Sequence, residues 1–217
     1  MNETLNLILG ALLVLNLVLA CSSRLLHCIK LVAIQGILLG LLPLASPHRP
    51  DGGAWEYLLV ALLSLAIKGG LLPALLAYTM RKTDVRRELE PIVGYSLSLA
   101  IILSLTGAAF WLGSILPGPA NNGTSPLVIP AALATISTGL FLIITRRKAI
   151  TQVIGFLVFE NGVSIFGAGM MIHHGLLVEL GLLLDLFALV FIMGIGVFNI
   201  NRSFQHIDTH SLNALGD

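Results

Sequence analysis

Uninterrupted apolar runs close to 20 residues long constrain this chain more than any other feature. A helix rises about 1.5 Å per residue, so such a run matches the roughly 30 Å hydrocarbon core of a bilayer. Seven runs can be drawn, spanning approximately 4–21, 25–45, 56–80, 92–116, 126–145, 150–172 and 176–200. Turn-forming clusters separate them, as in Ser46-Pro47-His48-Arg49-Pro50-Asp51-Gly52-Gly53, and in Pro117-Gly118-Pro119 running into Asn121-Asn122-Gly123. Pro91 suits the start of the fourth helix. Only helices and closed barrels satisfy their backbone in lipid, and nothing here alternates with period two over ten-residue stretches. The expected fold is all-α, a polytopic membrane protein of about seven transmembrane helices.

Composition points the same way. Charged residues make up 11% of the 217 positions and hydrophobic ones 56%, against about 25% charged in soluble domains. A soluble enzyme, a secreted disulfide scaffold and a disordered chain are excluded. The net charge of +1 gives no hint of a nucleic-acid partner. The first run lacks the basic start and small-residue cleavage site of a signal peptide, so it reads as a retained helix. Cys21 and Cys28 have no second pair to complete a metal set and read as small buried apolar side chains. Adjacent His173 and His174 face different ways on a helix and read as a polar helix end rather than a metal site. Asn122-Gly123-Thr124 matches a glycosylation acceptor.

Basic residues set the expected orientation. Ten of the twelve fall at one side: Arg24, Lys30, Arg81, Lys82, Arg86, Arg87, Arg146, Arg147, Lys148 and Arg202. Arg49 alone is opposite, and Lys68 lies within a run. The positive-inside rule puts the N-terminus outside and the C-terminus in the cytoplasm. A single transmembrane domain is expected, made of a three-helix unit (1–90), a linking helix with an outer loop (91–124), and a second three-helix unit with a cytoplasmic tail (125–217). Leu26 to Gly36 can be laid over Thr151 to Asn161, each a basic loop entering a helix with a polar pair near its middle, Gln35-Gly36 and Glu160-Asn161.

Three ionisable residues stand near mid-run: Lys68, Glu160 and Asp185. Each opposes insertion by roughly 2.5–3.5 kcal/mol at a helix centre, so all three should face protein or water. One reading is a structural ion pair between Lys68 and a carboxylate. The other is a proton or ion path, since burial favours the neutral form of an ionisable group and so eases proton exchange. Ser164 lies one turn after Glu160 on the same face, while Gly155 and Gly162 leave room for water or a close helix. Lys68 is followed by Gly69-Gly70 and Pro73, which removes a backbone donor from the carbonyl of Gly69 and predicts a kink. Glu179 precedes Asp185 towards the outer end. Gln35, Ser64, Ser96, Ser98, Ser104 and Thr106 read as groups that bond their own helix or glue helices together.

The stretch Arg147 to Gly162, the stretch Val178 to Val190 and the tail Ile207 to Leu215 resemble the three-helix K-type membrane subunit of respiratory complex I. With Ile67-Lys68-Gly-Gly-Leu-Leu-Pro73, the whole chain resembles hydrogenase-4 component E, a membrane subunit of formate-hydrogenlyase-type, energy-converting nickel–iron hydrogenases. The resemblance implies a non-catalytic subunit in the cell's inner (cytoplasmic) membrane. Its partners would be antiporter-like and other membrane subunits and a hydrogenase peripheral arm. The nickel–iron centre and iron–sulfur clusters would lie in those partners, with no cofactor in this chain. The K-type subunit carries two intramembrane glutamates on its proton axis. Asp185 falls at the second position, Leu157 falls at the first, and Glu160 is one turn further on. Lys68, Glu160, Asp185 and Glu179 are thus the proton-relay candidates. A stand-alone secondary transporter and a purely structural membrane subunit are the alternatives.

Overall fold

The computed structural model describes residues 2–45, 58, 61–82, 92–116, 125–170, 191, 192 and 194. These form the helices α1 (Asn2–Cys21), α2 (Leu25–Ala45), α3 (Leu72–Lys82), α4 (Tyr95–Ile115), α5 (Val128–Thr145) and α6 (Ala149–Met170). A π-helical segment, Leu65–Leu71, leads directly into α3. Among the described residues there is no β-strand, and six helices are long and apolar enough to cross a membrane. The third of them is the composite helix Ala61–Arg81. The protein is therefore an all-helical, multi-pass membrane protein. Of the seventh run only 191, 192 and 194 are described; Asp185 and Glu179 lie outside the described residues, as do Pro91, His173, His174 and Asn122.

Helix boundaries follow the apolar runs closely. The fourth differs: Ile92 and Val93 form a bend, Gly94 is the N-cap and the helix starts at Tyr95. The amide of Ile92 donates to the carbonyl of Thr145 at 3.0 Å, so this short lead-in is fixed against the end of α5.

Packing is tightest between α5 and α6. Glycines make it so. A Cβ on Gly155 would meet the amide nitrogen of Ile143 at 2.7 Å, one on Gly162 that of Ile136 at 2.5 Å, and one on Gly139 the Cα of Phe159 at 2.5 Å. Helices in lipid gain little from burying apolar surface, and small residues let backbones reach van der Waals contact instead. The room expected at Gly155 and Gly162 is taken by the neighbouring helix. α4 sits outside α5 and buries only Ser98, Ile102 and Ala109, leaving Trp111 65% and Ile115 61% exposed. α2 lies between the π segment and α6, and α1 covers α2, α4 and α5.

Two apolar clusters fill the bundle. One gathers Leu19, Leu25, Val32, Leu76, Leu142 and Val153 at the end where α1 meets α2 and α5 meets α6. The other gathers Leu5, Leu9, Leu39, Ala131 and Ile165 towards the opposite end. Asn16, Gln35, Thr135, Glu160 and Asn161 fall between them along α1, α2, α5 and α6, each almost fully buried. A polar layer thus crosses the bundle between two apolar halves.

Candidate functional site: a buried ion pair on a π segment

Why the composite third helix widens to a π turn is legible in its bonds. In the π register each carbonyl accepts from the amide five residues on, as the carbonyl of Ile67 does from Leu72. The next bond would run from residue 73 to the carbonyl of Lys68, and Pro73 has no N–H to give. The widened stretch ends there and α3 begins. Where the sequence predicts a kink from the freed carbonyl of Gly69, the helix carries this π segment. It presents the carbonyl of Lys68 to α2 at Gly36, where an added Cβ would fall 2.5 Å from the carbonyl carbon. Gly36 is the close approach that lets the segment lie on α2.

From this segment Lys68 reaches across to α6. Its Nζ lies 2.5 Å from Oε1 of Glu160 and donates to Oγ of Ser164 at 2.7 Å. Lys68 is 8% exposed and Glu160 1%. Glu160 and Ser164 are one turn apart, so α6 offers two oxygens on one face to the ammonium. Beside the pair is a cavity of ≈ 10 Å³ lined by Val32, Lys68, Leu72, Leu157, Glu160 and Asn161, near the lower limit of what one water needs. Leu157 lines the same cavity as Glu160.

The rest of the layer is a chain of neutral groups that sequence reasoning did not assemble. Asn161 Nδ2 donates to Gln35 Oε1 at 3.4 Å, Gln35 Nε2 to Asn16 Oδ1 at 2.9 Å, and Asn16 Nδ2 to Thr135 Oγ1 at 2.9 Å. The Thr135 hydroxyl ends the run by donating to the carbonyl of Ala131 at 2.7 Å. Of the two roles open to Gln35, bonding its own helix or joining helices, the structure shows the second. Asn16 and Thr135 had carried no expectation, and the signal available was only a lone amide in the apolar run of α1. Ser104 and Thr106 bond their own helix, to the carbonyls of Ala100 and Ile102. Amides hold their protons far too tightly to hand them on, so this chain ties four helices in register while the ionisable chemistry stays with Lys68 and Glu160.

A second buried cation, Arg146, caps α5. It is 3% exposed, lies 5.8 Å from the Tyr95 ring centroid, and reaches the carbonyl of Ala20 with Nη2 at 3.5 Å. Burial pulls its pKa below the ordinary guanidinium value, while Cys28 and Tyr95 act the other way; a guanidinium stays charged regardless. Arg146 therefore locks the α1, α4 and α5 ends together. Of the cysteines, Cys28 is buried as expected, whereas Cys21, at the end of α1, is exposed. Among the described residues no group of three His, Cys, Asp or Glu side chains is placed to hold a metal.

Fold and site together define a multi-pass helical membrane protein with an ion pair enclosed at mid-bundle. Over 213 residues, 96% of this chain and 94% of the relative, it is 30% identical to the uncharacterized protein Rv0085 of Mycobacterium tuberculosis, and the chain belongs to that protein's family. No protein-family model matches the chain, and no solved structure matches it.

Proposed function

We propose that this chain is a non-catalytic membrane subunit of an ion-translocating oxidoreductase, of the energy-converting hydrogenase or formate-hydrogenlyase type, and that Lys68 and Glu160 form part of its proton or sodium path. The observation that carries the reading is the ion pair itself. A lysine on a widened helix turn, buried in contact with a glutamate of α6 beside a small cavity, is costly in a membrane, and ionisable groups at such a place mark ion paths. The location of Leu157 on the same cavity adds support, because a carboxylate moved by one turn would still face one shared space. Under this reading the chain has seven spans, with the N-terminus outside and the C-terminus in the cytoplasm of the inner membrane. Asp185 and Glu179 continue the path, and antiporter-like subunits and a hydrogenase peripheral arm are the partners. Any nickel–iron or iron–sulfur chemistry belongs to those partners.

The test is to solubilise native membranes gently, capture the tagged chain and identify the co-purifying subunits by mass spectrometry. Recovery of a nickel–iron hydrogenase large subunit with antiporter-like membrane subunits is the expected result. A chain recovered alone overturns the reading and favours a solitary transporter, for which substrate uptake by the purified chain in vesicles is then measured.

A further inference from the structure

A buried charge that no carboxylate answers marks the end of the bundle where α1 gives way to α2 and α5 to α6. Arg146 is 3% exposed. Its Nη2 reaches the carbonyl of Ala20 at 3.5 Å, and its Nη1 is buried with no hydrogen-bond partner among the described residues. The side chains that act on its charge are the Cys28 thiol and the Tyr95 phenol. Among the described residues the acidic side chains are Glu3, at the far end of α1, and Glu160, in contact with Lys68. A guanidinium cannot shed its charge, and a buried charge without a counter-charge is strongly unfavourable. Arg146 calls for an anion that these residues do not supply.

Its surroundings suit one. Ala20 and Cys28 stand on either side of the turn 22–24, and Arg146 itself opens the turn 146–148, so the guanidinium lies where the two turns meet. Each turn delivers a helix N-terminus: α2 starts at Leu25 and α6 at Ala149, and Leu25 and Ile150 are buried in one cluster. The first amides of a helix lack intrahelical acceptors and carry the positive end of its dipole, an arrangement that favours phosphate. Arg24 and Arg147, one in each turn, are exposed, and forked guanidinium groups match the oxygens of a phosphate. From the first turn of α2, the exposed residues Leu26, Ile34, Ile37 and Leu41 run down one outer face of the helix.

We propose that the meeting of turns 22–24 and 146–148 is a binding site for an anionic phosphate group, with Arg146 as its buried counter-charge and Arg24 and Arg147 as its outer ligands. The apolar track along α2 points to a phospholipid as the carrier, its headgroup at the turns and an acyl chain on the helix. Basic sites between membrane helices hold headgroups in this way. The site is separate from Lys68 and Glu160 and does not depend on what the ion path carries.

The full-length chain, purified and delipidated in detergent, decides this by thermal unfolding with phosphatidylglycerol, with phosphatidylcholine, and with inorganic phosphate against chloride at equal ionic strength. Phosphatidylglycerol is expected to raise Tm in a saturable manner. Phosphatidylcholine, whose phosphate carries its own choline cation, is expected to leave it unchanged. In Arg24→Gln/Arg147→Gln the half-saturating lipid concentration should rise roughly 10-fold or more, while Arg81→Gln, which removes an exposed charge at the end of α3, leaves it as it was. Arg146→Gln is expected to lose the response. A folded Arg146→Gln chain that responds in full overturns the proposal, and if that variant does not fold, the Arg24 and Arg147 substitutions decide. A rise with inorganic phosphate alone keeps the site and makes its ligand a soluble phosphate. Indifference to phosphatidylglycerol and to inorganic phosphate overturns the proposal and leaves Arg146 to a carboxylate. A response weakened as much by Arg81→Gln as by Arg24→Gln/Arg147→Gln also overturns it, because diffuse attraction to a basic surface then suffices.

Discussion

Removing one member of a buried ion pair differs from removing both, and Lys68 with Glu160 offers that contrast. Glu160→Gln takes from the buried ammonium the carboxylate 2.5 Å away, and breaking a buried pair typically costs about 3–5 kcal/mol. A clear fall in Tm in detergent is expected. Lys68→Met/Glu160→Leu replaces both charges with apolar volume and is expected to be neutral or stabilising by ~1–4 kcal/mol, while the proposed function predicts that it abolishes ion translocation. Retained translocation in a well-folded double variant would leave the pair purely structural. Gln35→Leu is a separate case: it strips partners from the amides of Asn16 and Asn161 and should destabilise by about 1–3 kcal/mol per orphaned group. At this scale the sequence displayed Lys68, Glu160 and Ser164 because charge in an apolar run is conspicuous and i, i+4 spacing is fixed by helix geometry. Asn16 and Thr135 were hidden, because their roles depend on which helices touch, and apolar runs do not encode helix order.

Among elements, the α5–α6 pair and the π segment depend on glycine for different reasons. Gly139→Ala drives a Cβ into the backbone of Phe159, and overpacking of this kind costs about 1–3 kcal/mol. Gly107→Ala on α4 meets nothing within 4 Å and is expected to leave Tm unchanged or slightly raised. A thermal comparison of the two variants separates helix packing from glycine content. The π segment holds one residue more per turn than an α-helix of the same path. Deleting Gly70, whose Cβ position is open, should restore the α register and rotate Lys68 away from Glu160. Under the proposed function translocation would then fall as in Lys68→Met/Glu160→Leu, although both charged side chains are present. Helix limits were readable from the lengths of the apolar runs. Gly69, Gly70 and Pro73 announced an irregularity, but its form was not readable, since it depends on which carbonyl α2 can accept at Gly36.

For the whole molecule, orientation is testable with the two native thiols. Cys21 is exposed and Cys28 buried, so a membrane-impermeant maleimide should label one cysteine, and only from the cytoplasmic side. Labelling from outside would reverse the assignment drawn from the basic residues. Cys21→Ser should abolish the signal. The polar layer also has a consequence in time. Ser164 follows Lys68 by 96 residues, and Thr135 follows Asn16 by 119. At roughly 5–20 residues per second, a ribosome needs about 5–20 s to make the partner of the lysine after the lysine itself has been made. Throughout that interval the first half of the chain has the Gln35–Asn16 bond to draw on, but not the bonds to α5 and α6 that complete the layer. Biogenesis must therefore shelter a half-finished bundle, and a stall or truncation before α6 leaves a product that membrane quality control can recognise by its incomplete polar layer.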